Sequence, residues 1–132
     1  MQPPIILSSL DVERLERLLD TAPATPASTA LRAELDRAEV REPQDMPPDV
    51  VTMNATVRFT VGDGGPTLQR TLVYPRDADQ DAGRLSVLAP VGSALLGLRV
   101  GQHMAWPTPA GPVQVRIDEL VWQPERAGEL HR

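Results

Sequence analysis

The chain has no cysteine, which removes disulfides, thiolate metal sites and cysteine nucleophiles. It has no lysine either, since all 13 basic residues are Arg. A P-loop lysine, Schiff-base chemistry and a tuned lysine base are therefore excluded. Aromatic residues are sparse: Phe59, Tyr74, Trp106 and Trp122. No apolar run approaches the ~20 residues of a spanning helix. The first such run, Ile5-Ile6-Leu7, has no basic residue before it and an acidic stretch soon after, unlike a signal peptide. A cytoplasmic location is expected, with no membrane partner. The formal charge of −5 gives no long-range attraction to a phosphate backbone, so autonomous nucleic-acid binding is not expected.

At 132 residues the chain has room for one ordinary domain, or a small domain with an appendage. Its 14 prolines punctuate it. The polar stretch Glu42 to Asp49 contains Pro43, Pro47 and Pro48, where backbone donors are missing and the residues before proline leave the helical region. The boundary between residues 1–45 and 49–132 is placed there.

Two helical patterns precede that boundary. Ser8 or Ser9 caps the first, Asp11 and Glu13 suit the positive end of its dipole, and Val12, Leu15, Leu18 and Leu19 line one face to an end near Asp20. The second spans about residues 28 to 41, with Leu31, Leu35 and Ala38 at helical spacing. A short loop between them predicts an antiparallel hairpin of roughly 12 residues per arm, ~18 Å long. Beyond the boundary the period becomes two. Val51, Met53, Ala55, Val57, Phe59 and Val61 alternate with polar residues, the pattern of a strand with one buried face. Residues 62–65, rich in Gly, turn it into a partner strand from Leu68 to Tyr74. Leu85 to Leu88, His103 to Trp106 and Val113 to Trp122 read as further strands, and Pro90 to Leu96 as a short helix closed by Gly97. The fold class is α+β: a short antiparallel helical hairpin followed by an antiparallel sheet with one short helix.

Catalytic chemistry finds little support. Asp77, Asp79 and Asp81 imitate the first ligands of a calcium loop, but glycine falls one place late at Gly83 and Leu88 stands where a bidentate Glu belongs. The loop reads as a solvated acidic turn. His103 and His131 have no second imidazole or thiolate at ligand spacing. None of the five serines lies in a Gly-x-Ser-x-Gly elbow. Asp118 and Glu119 are consecutive on a strand and face opposite ways, so they form no carboxylate pair. Regular alternation puts Glu119 on the apolar face with Val115, Ile117 and Val121, where an ion pair or a strand-end position would accommodate it. No metal, cofactor or catalytic residue is expected. Residues 1–48 hold five Arg against nine acidic residues, and residues 49–132 hold eight against nine, so the negative charge gathers on the hairpin.

The run from Ala89 to Gly101, Ala-Pro-Val-Gly-Ser-Ala-Leu-Leu-Gly-Leu-Arg-Val-Gly, with the hairpin and strand that follow it, resembles the C-terminal signature of Gre transcript-cleavage factors. Residues Asp49 to Asn54, Arg70 to Pro75, Leu85 to Val87, Leu10 to Leu15 and Ala33 to Ala38 are similar to the Rnk proteins of that superfamily, regulators of nucleoside diphosphate kinase. The resemblance covers essentially the whole chain. It implies a coiled-coil hairpin, an FKBP-like C-terminal part, and RNA polymerase as partner, with docking at the rim of the secondary channel. Ala89, Pro90, Val91 and Gly92 become the candidate docking surface, although Leu88 stands where several Gre proteins carry an acidic residue. Asp20, Thr21 and Ala22 become the hairpin tip. Cleavage factors place two carboxylates at a long hairpin's end to hold a second Mg²⁺, whereas this loop offers only Asp20. Polymerase binding without stimulated cleavage, competition with Gre factors and an indirect effect on the kinase are the expected function. Two alternatives are an FKBP-type peptidyl-prolyl isomerase, which would need an aromatic-lined apolar pocket, and an interaction module acting directly on another protein.

Overall fold

A computed structural model describes residues 4–62, 64–79, 81–106 and 110–128. The first strand, β1 (Ile6–Ser8), leads directly into α1 (Ser9–Thr21), and α2 (Pro26–Arg37) returns into β2 (Glu39–Arg41). Ser8 Oγ accepts the Asp11 amide at 3.0 Å as the cap of α1. Thr25 and Ser28 form a reciprocal capping box on α2, with Pro26 at its first position, so each helix start has a side-chain cap. The two helices lie where the spacing predicts. The second, however, stops at Arg37, short of the expected end at Arg41. Residues 39–41 instead pair in parallel with β1, Ile6 opposite Glu39 and Ser8 opposite Arg41.

Helices this short are marginal on their own. The exposed Arg17–Glu13 pair at 2.6 Å contributes at most about 0.5 kcal/mol. Burying Leu15, Leu19 and Leu31, each no more than 4% exposed, contributes about 1.5–3 kcal/mol apiece. Packing therefore decides the hairpin's stability.

The remainder is a five-stranded sheet in the order β5-β4-β3-β7-β6, formed by β3 (Thr56–Val61), β4 (Thr67–Val73), β5 (Arg84–Ser86), β6 (His103–Trp106) and β7 (Val113–Trp122). The expectation of an antiparallel sheet needs correction. The pairs β3–β4, β3–β7 and β6–β7 are antiparallel, but β5 runs parallel to β4, so the sheet is mixed. The strand expected from Val51 is also shorter. Residues 51–55 form an irregular buried segment in which Asn54 takes φ +66°, and Thr52, assigned to the wet face, is buried. In β7 the register shifts by one residue opposite Arg58 and Phe59. That bulge turns Glu119 outward, where it meets Arg58 at 2.5 Å, and turns Leu120 into the core. Glu119 therefore does not lie on the apolar face. Asp118 binds the Thr60 hydroxyl at 2.6 Å and Arg116 at 2.9 Å, which hold its carboxyl below the usual range.

The short helix α3 (Pro90–Leu95) and the hairpin share one apolar core with the sheet, built around Ile5, Leu15, Leu31, Phe59, Leu72, Leu95, Leu96 and Ile117. The segment after Arg41 is tied down from the far end of the chain. Gln123 is buried and donates to the Pro47 and Val50 carbonyls at 2.9 and 2.7 Å, and Arg99 chelates Asp49. The loop expected at 107–112 and His131 lie partly or wholly outside the described residues.

Gly97 (φ +81°) sits where these parts meet. Its amide donates to Val51 O at 2.8 Å, and its carbonyl accepts the Ile6 amide at 3.2 Å. A Cβ there would lie 2.7 Å from Ile5 Cβ. Gly64 (φ +72°) has open space around it. Gly64→Ala should therefore cost about 1 kcal/mol for left-handed strain alone. Gly97→Ala should cost about 2 kcal/mol more, from overpacking of the Ile5 contact; urea unfolding of the two variants in parallel measures the difference.

Candidate functional site

The four residues singled out before and within α3 are assembled into one tight turn. Ala89, the residue preceding the helix, donates its amide to Ser86 O at 3.0 Å, and Ser86 Oγ accepts the Leu88 amide at 3.1 Å. Ser93 Oγ donates to Val87 O at 2.6 Å. Pro90 takes the first helical position, where its missing N–H costs nothing. Gly92 is buried, and a Cβ on it would lie 2.0 Å from Ser86 O. Its place in the sequence is thus set by backbone approach. Ala89 and Val91 are half-buried and form the part of this turn that reaches the surface. The side chain of Pro90 lies outside the described residues.

Asp20, Thr21 and Ala22 lie together at the end of α1. Asp20 is exposed, Thr21 Oγ1 donates to Leu18 O at 3.2 Å, and the Ala22 amide closes the helix on Leu18 O at 3.0 Å. From Thr21 to Ala33 the sequence has no acidic residue, so Asp20 is the tip's single carboxylate. Asp79, in the acidic loop, accepts the Asp81 amide at 3.0 Å. The carboxylate thus closes a turn, and no three His, Asp or Glu among the described residues are grouped to hold a metal ion. His103 is exposed on β6, opposite Arg116.

A feature that sequence reasoning missed lies where α1 meets the sheet. Asp11, which suits the positive end of the α1 dipole, is 3% exposed, and its Oδ2 accepts the Met53 amide at 3.1 Å. Burial pushes its carboxyl up to about 7, helped by the Glu125 charge and opposed by the Met53 amide, Arg14 and Ser8. The signal was present in the spacing: Asp11 precedes Leu15 by four residues and so shares its face. Beside it, burial holds the Tyr74 hydroxyl above its ordinary range, with Asp11 adding to the effect and Arg14 opposing it. The Tyr74 hydroxyl oxygen is buried beside Arg14. Above this cluster opens a cleft of about 880 Å³, lined by Arg14, Arg17, Asn54, Tyr74, Arg76 and Asp77 among others.

The pattern described as "Transcription elongation factor, GreA/GreB, C-term" matches residues 46–120, and that described as "Rnk N-terminus" matches residues 3–40. The chain belongs to the Rnk branch of the GreA/GreB family. It is 48% identical over 132 residues to the regulator of nucleoside diphosphate kinase of Escherichia coli K12, covering 97% of this chain and 96% of that one. It is 31% identical over 91 residues to the transcription elongation factor GreA of Chlorobium phaeovibrioides, covering 68% of this chain and 57% of that one. Among solved structures, a GreA/GreB elongation factor from Nitrosomonas europaea superposes with a TM-score of 0.73 at 52% identity, over 92% of this chain and 100% of that one. The Rnk-type N-terminal match falls on the hairpin and its closing strands, and the GreA/GreB-type match on the linker and sheet.

The Asp11 environment gives a signed pH dependence. Its folded pKa of about 7 lies above the ordinary carboxylate value of 3.8. The folded state therefore keeps a proton that the unfolded state has lost across that interval. The associated stability is fully present below about pH 4 and is lost as pH rises through about 7. Asp11→Asn, which retains an acceptor for the Met53 amide, should remove this component. The variant should be the more stable protein at about pH 8, by about 1–3 kcal/mol. Urea unfolding of both proteins from about pH 4 to 8 measures the difference curve.

Proposed function

We propose that the chain is a Gre/Rnk-type transcription regulator that binds RNA polymerase, docking its sheet part at the rim of the secondary channel and presenting its hairpin to the opening. In this reading it does not stimulate transcript cleavage, and it competes with Gre cleavage factors for the site. Residues 1–45 act as the inserted arm and residues 49–132 as the docking head. The finer fold terms, a coiled coil for the arm and an FKBP-like head, belong to the same reading.

The observation that carries it is the tip. A second catalytic Mg²⁺ held in a two-metal site needs a convergent set of oxygen ligands. Asp20 is the one carboxylate between α1's last turn and Glu34, and Glu34 is itself buried and doubly bonded to Arg37. Length adds to this: the 13 residues of α1 make an arm of about 20 Å. The near full-length likeness to a protein whose name is regulator of nucleoside diphosphate kinase fits an effect on that kinase exerted through transcription. The isomerase alternative has little to draw on. Phe59 is core, and among the described residues Tyr74 is the one aromatic ring lining the cleft beside α1.

Ala89, Pro90, Val91 and Gly92 are the proposed docking turn, with Val91 the residue to test because it is half-buried rather than interior. Val91→Asp should weaken binding to polymerase core about tenfold, the equivalent of about 1.4 kcal/mol, with little change in unfolding midpoint. Purified protein should co-purify with polymerase core and not with the kinase. It should leave backtracked complexes uncleaved and slow Gre-stimulated cleavage in proportion to its concentration. RNA cleavage by this protein alone, abolished by Asp20→Asn, would overturn the reading.

A further inference from the structure

The cleft between α1 and the turn after β4 collects positive charge in a chain that is otherwise acidic. Arg14 and Arg17 come from the helix and Arg76 from the turn, with Asp77 as the one acidic group among the lining residues. The chain as a whole carries a net charge of −5. Three arginines from two elements separated by some sixty residues therefore line one open cleft of about 880 Å³, within the ordinary range of small-ligand sites.

The two outer arginines hold only exposed partners. Arg17 pairs with Glu13 at 2.6 Å, with side chains 75% and 59% exposed, and Arg76 meets Asp77 at 3.7 Å, with 85% and 48%. Pairs of this kind contribute at most about 1 kcal/mol, so a ligand with stronger anionic groups can redirect them. The inner part of the cleft is differently built. Arg14 interacts electrostatically with both the Asp11 carboxyl and the Tyr74 hydroxyl. Asn54 reaches the cleft from a backbone held at φ +66°. Tyr74, whose hydroxyl oxygen is buried beside Arg14, lines the same cleft.

We propose that this cleft is a binding site for a compact, multiply charged phosphoryl ligand: a diphosphate or triphosphate group, either inorganic or carried by a nucleotide. Guanidinium groups bind phosphate oxygens through paired N–H donors. A single carboxylate can engage only one of the three arginines in this way, whereas adjacent phosphoryl groups engage all three. None of the cleft residues belongs to the docking turn, Thr21 is the one it shares with the tip, and the three arginines that carry the proposal belong to neither.

Isothermal titration of the whole chain with inorganic pyrophosphate, orthophosphate and ADP tests it, at ~100 mM salt to screen nonspecific attraction. Pyrophosphate should bind saturably and more tightly than orthophosphate. The surface double variant Arg17→Gln/Arg76→Gln should weaken it at least tenfold without altering the unfolding midpoint. Asp77→Asn should strengthen it several-fold, a gain that damage to the fold could not produce. Arg32→Gln, on α2 and outside the cleft, should leave it unchanged. ADP binding as tightly as pyrophosphate supports recognition of the phosphates alone, and tighter ADP binding supports a nucleotide as the source. No saturable binding, binding indifferent to the double variant, or equal competition by an acidic peptide would overturn the proposal.

Discussion

The hairpin and the sheet are one folded body because of a short backbone relay through Gly97. The Ile6 amide binds the Gly97 carbonyl, the Gly97 amide binds the Val51 carbonyl, and the Val51 amide binds the Leu98 carbonyl. Three stretches distant in sequence thus satisfy one another's buried polar groups, which would otherwise cost about 1–3 kcal/mol each. Only glycine permits the geometry, since it must take a left-handed φ while Ile5 presses against its Cα. The apolar core then follows. With the N-terminal strand fixed at Gly97, Ile5 and Leu7 enter the same cluster as Phe59 and Leu95, and α1 is aimed so that Leu15 and Leu19 complete it.

Around that relay the structure accepts one costly element, the buried Asp11. A carboxyl with the Met53 amide, Ser8 and Arg14 around it is only partly compensated for loss of water. It connects the first turn of α1 to the irregular segment at 51–55, opposite the point where Thr52 binds Glu125 at 2.8 Å. The Glu125 charge raises the same carboxyl further. Arm, linker and C-terminal segment therefore meet at a polar cluster whose charge state is set by burial.

Much of this was legible in the residues, for reasons that also explain the failures. The helices of the hairpin announced themselves by leucines at four-residue spacing and by Ser and Thr caps, all local signals. So did the β3–β4 hairpin, through strict alternation and glycine. The errors came where long-range pairing overrides local pattern. Ala38 continues the helical spacing of Leu31 and Leu35, but residues 39–41 are drawn into a strand by β1, which the local pattern cannot reveal. Val51, Met53 and Ala55 alternate as a strand would, yet both faces there are enclosed, so Thr52 is as buried as its neighbours. The bulge in β7 shifts Glu119 out and Leu120 in without any glycine to mark it. The family resemblance rested on the α3 turn and its flanks, and the residues that carried it are held there by Ser86, Gly92 and Ser93. The arginine-lined cleft was not legible, because residues 14, 17, 54, 74 and 76 become neighbours only after the relay has formed.

The parallel pairing of β1 with β2 places a strand at each end of the helical arm, with β1 buried and β2 exposed. A projection fastened at one root can swing like a pendulum on a single pivot. This one is clamped at two, so its bearing relative to the head is decided once, during folding. Any later reorientation requires withdrawing Ile5 and Leu7 from the interior, which is partial unfolding rather than hinge motion. The orientation of the helical arm relative to the sheet is therefore a property of the folded state itself.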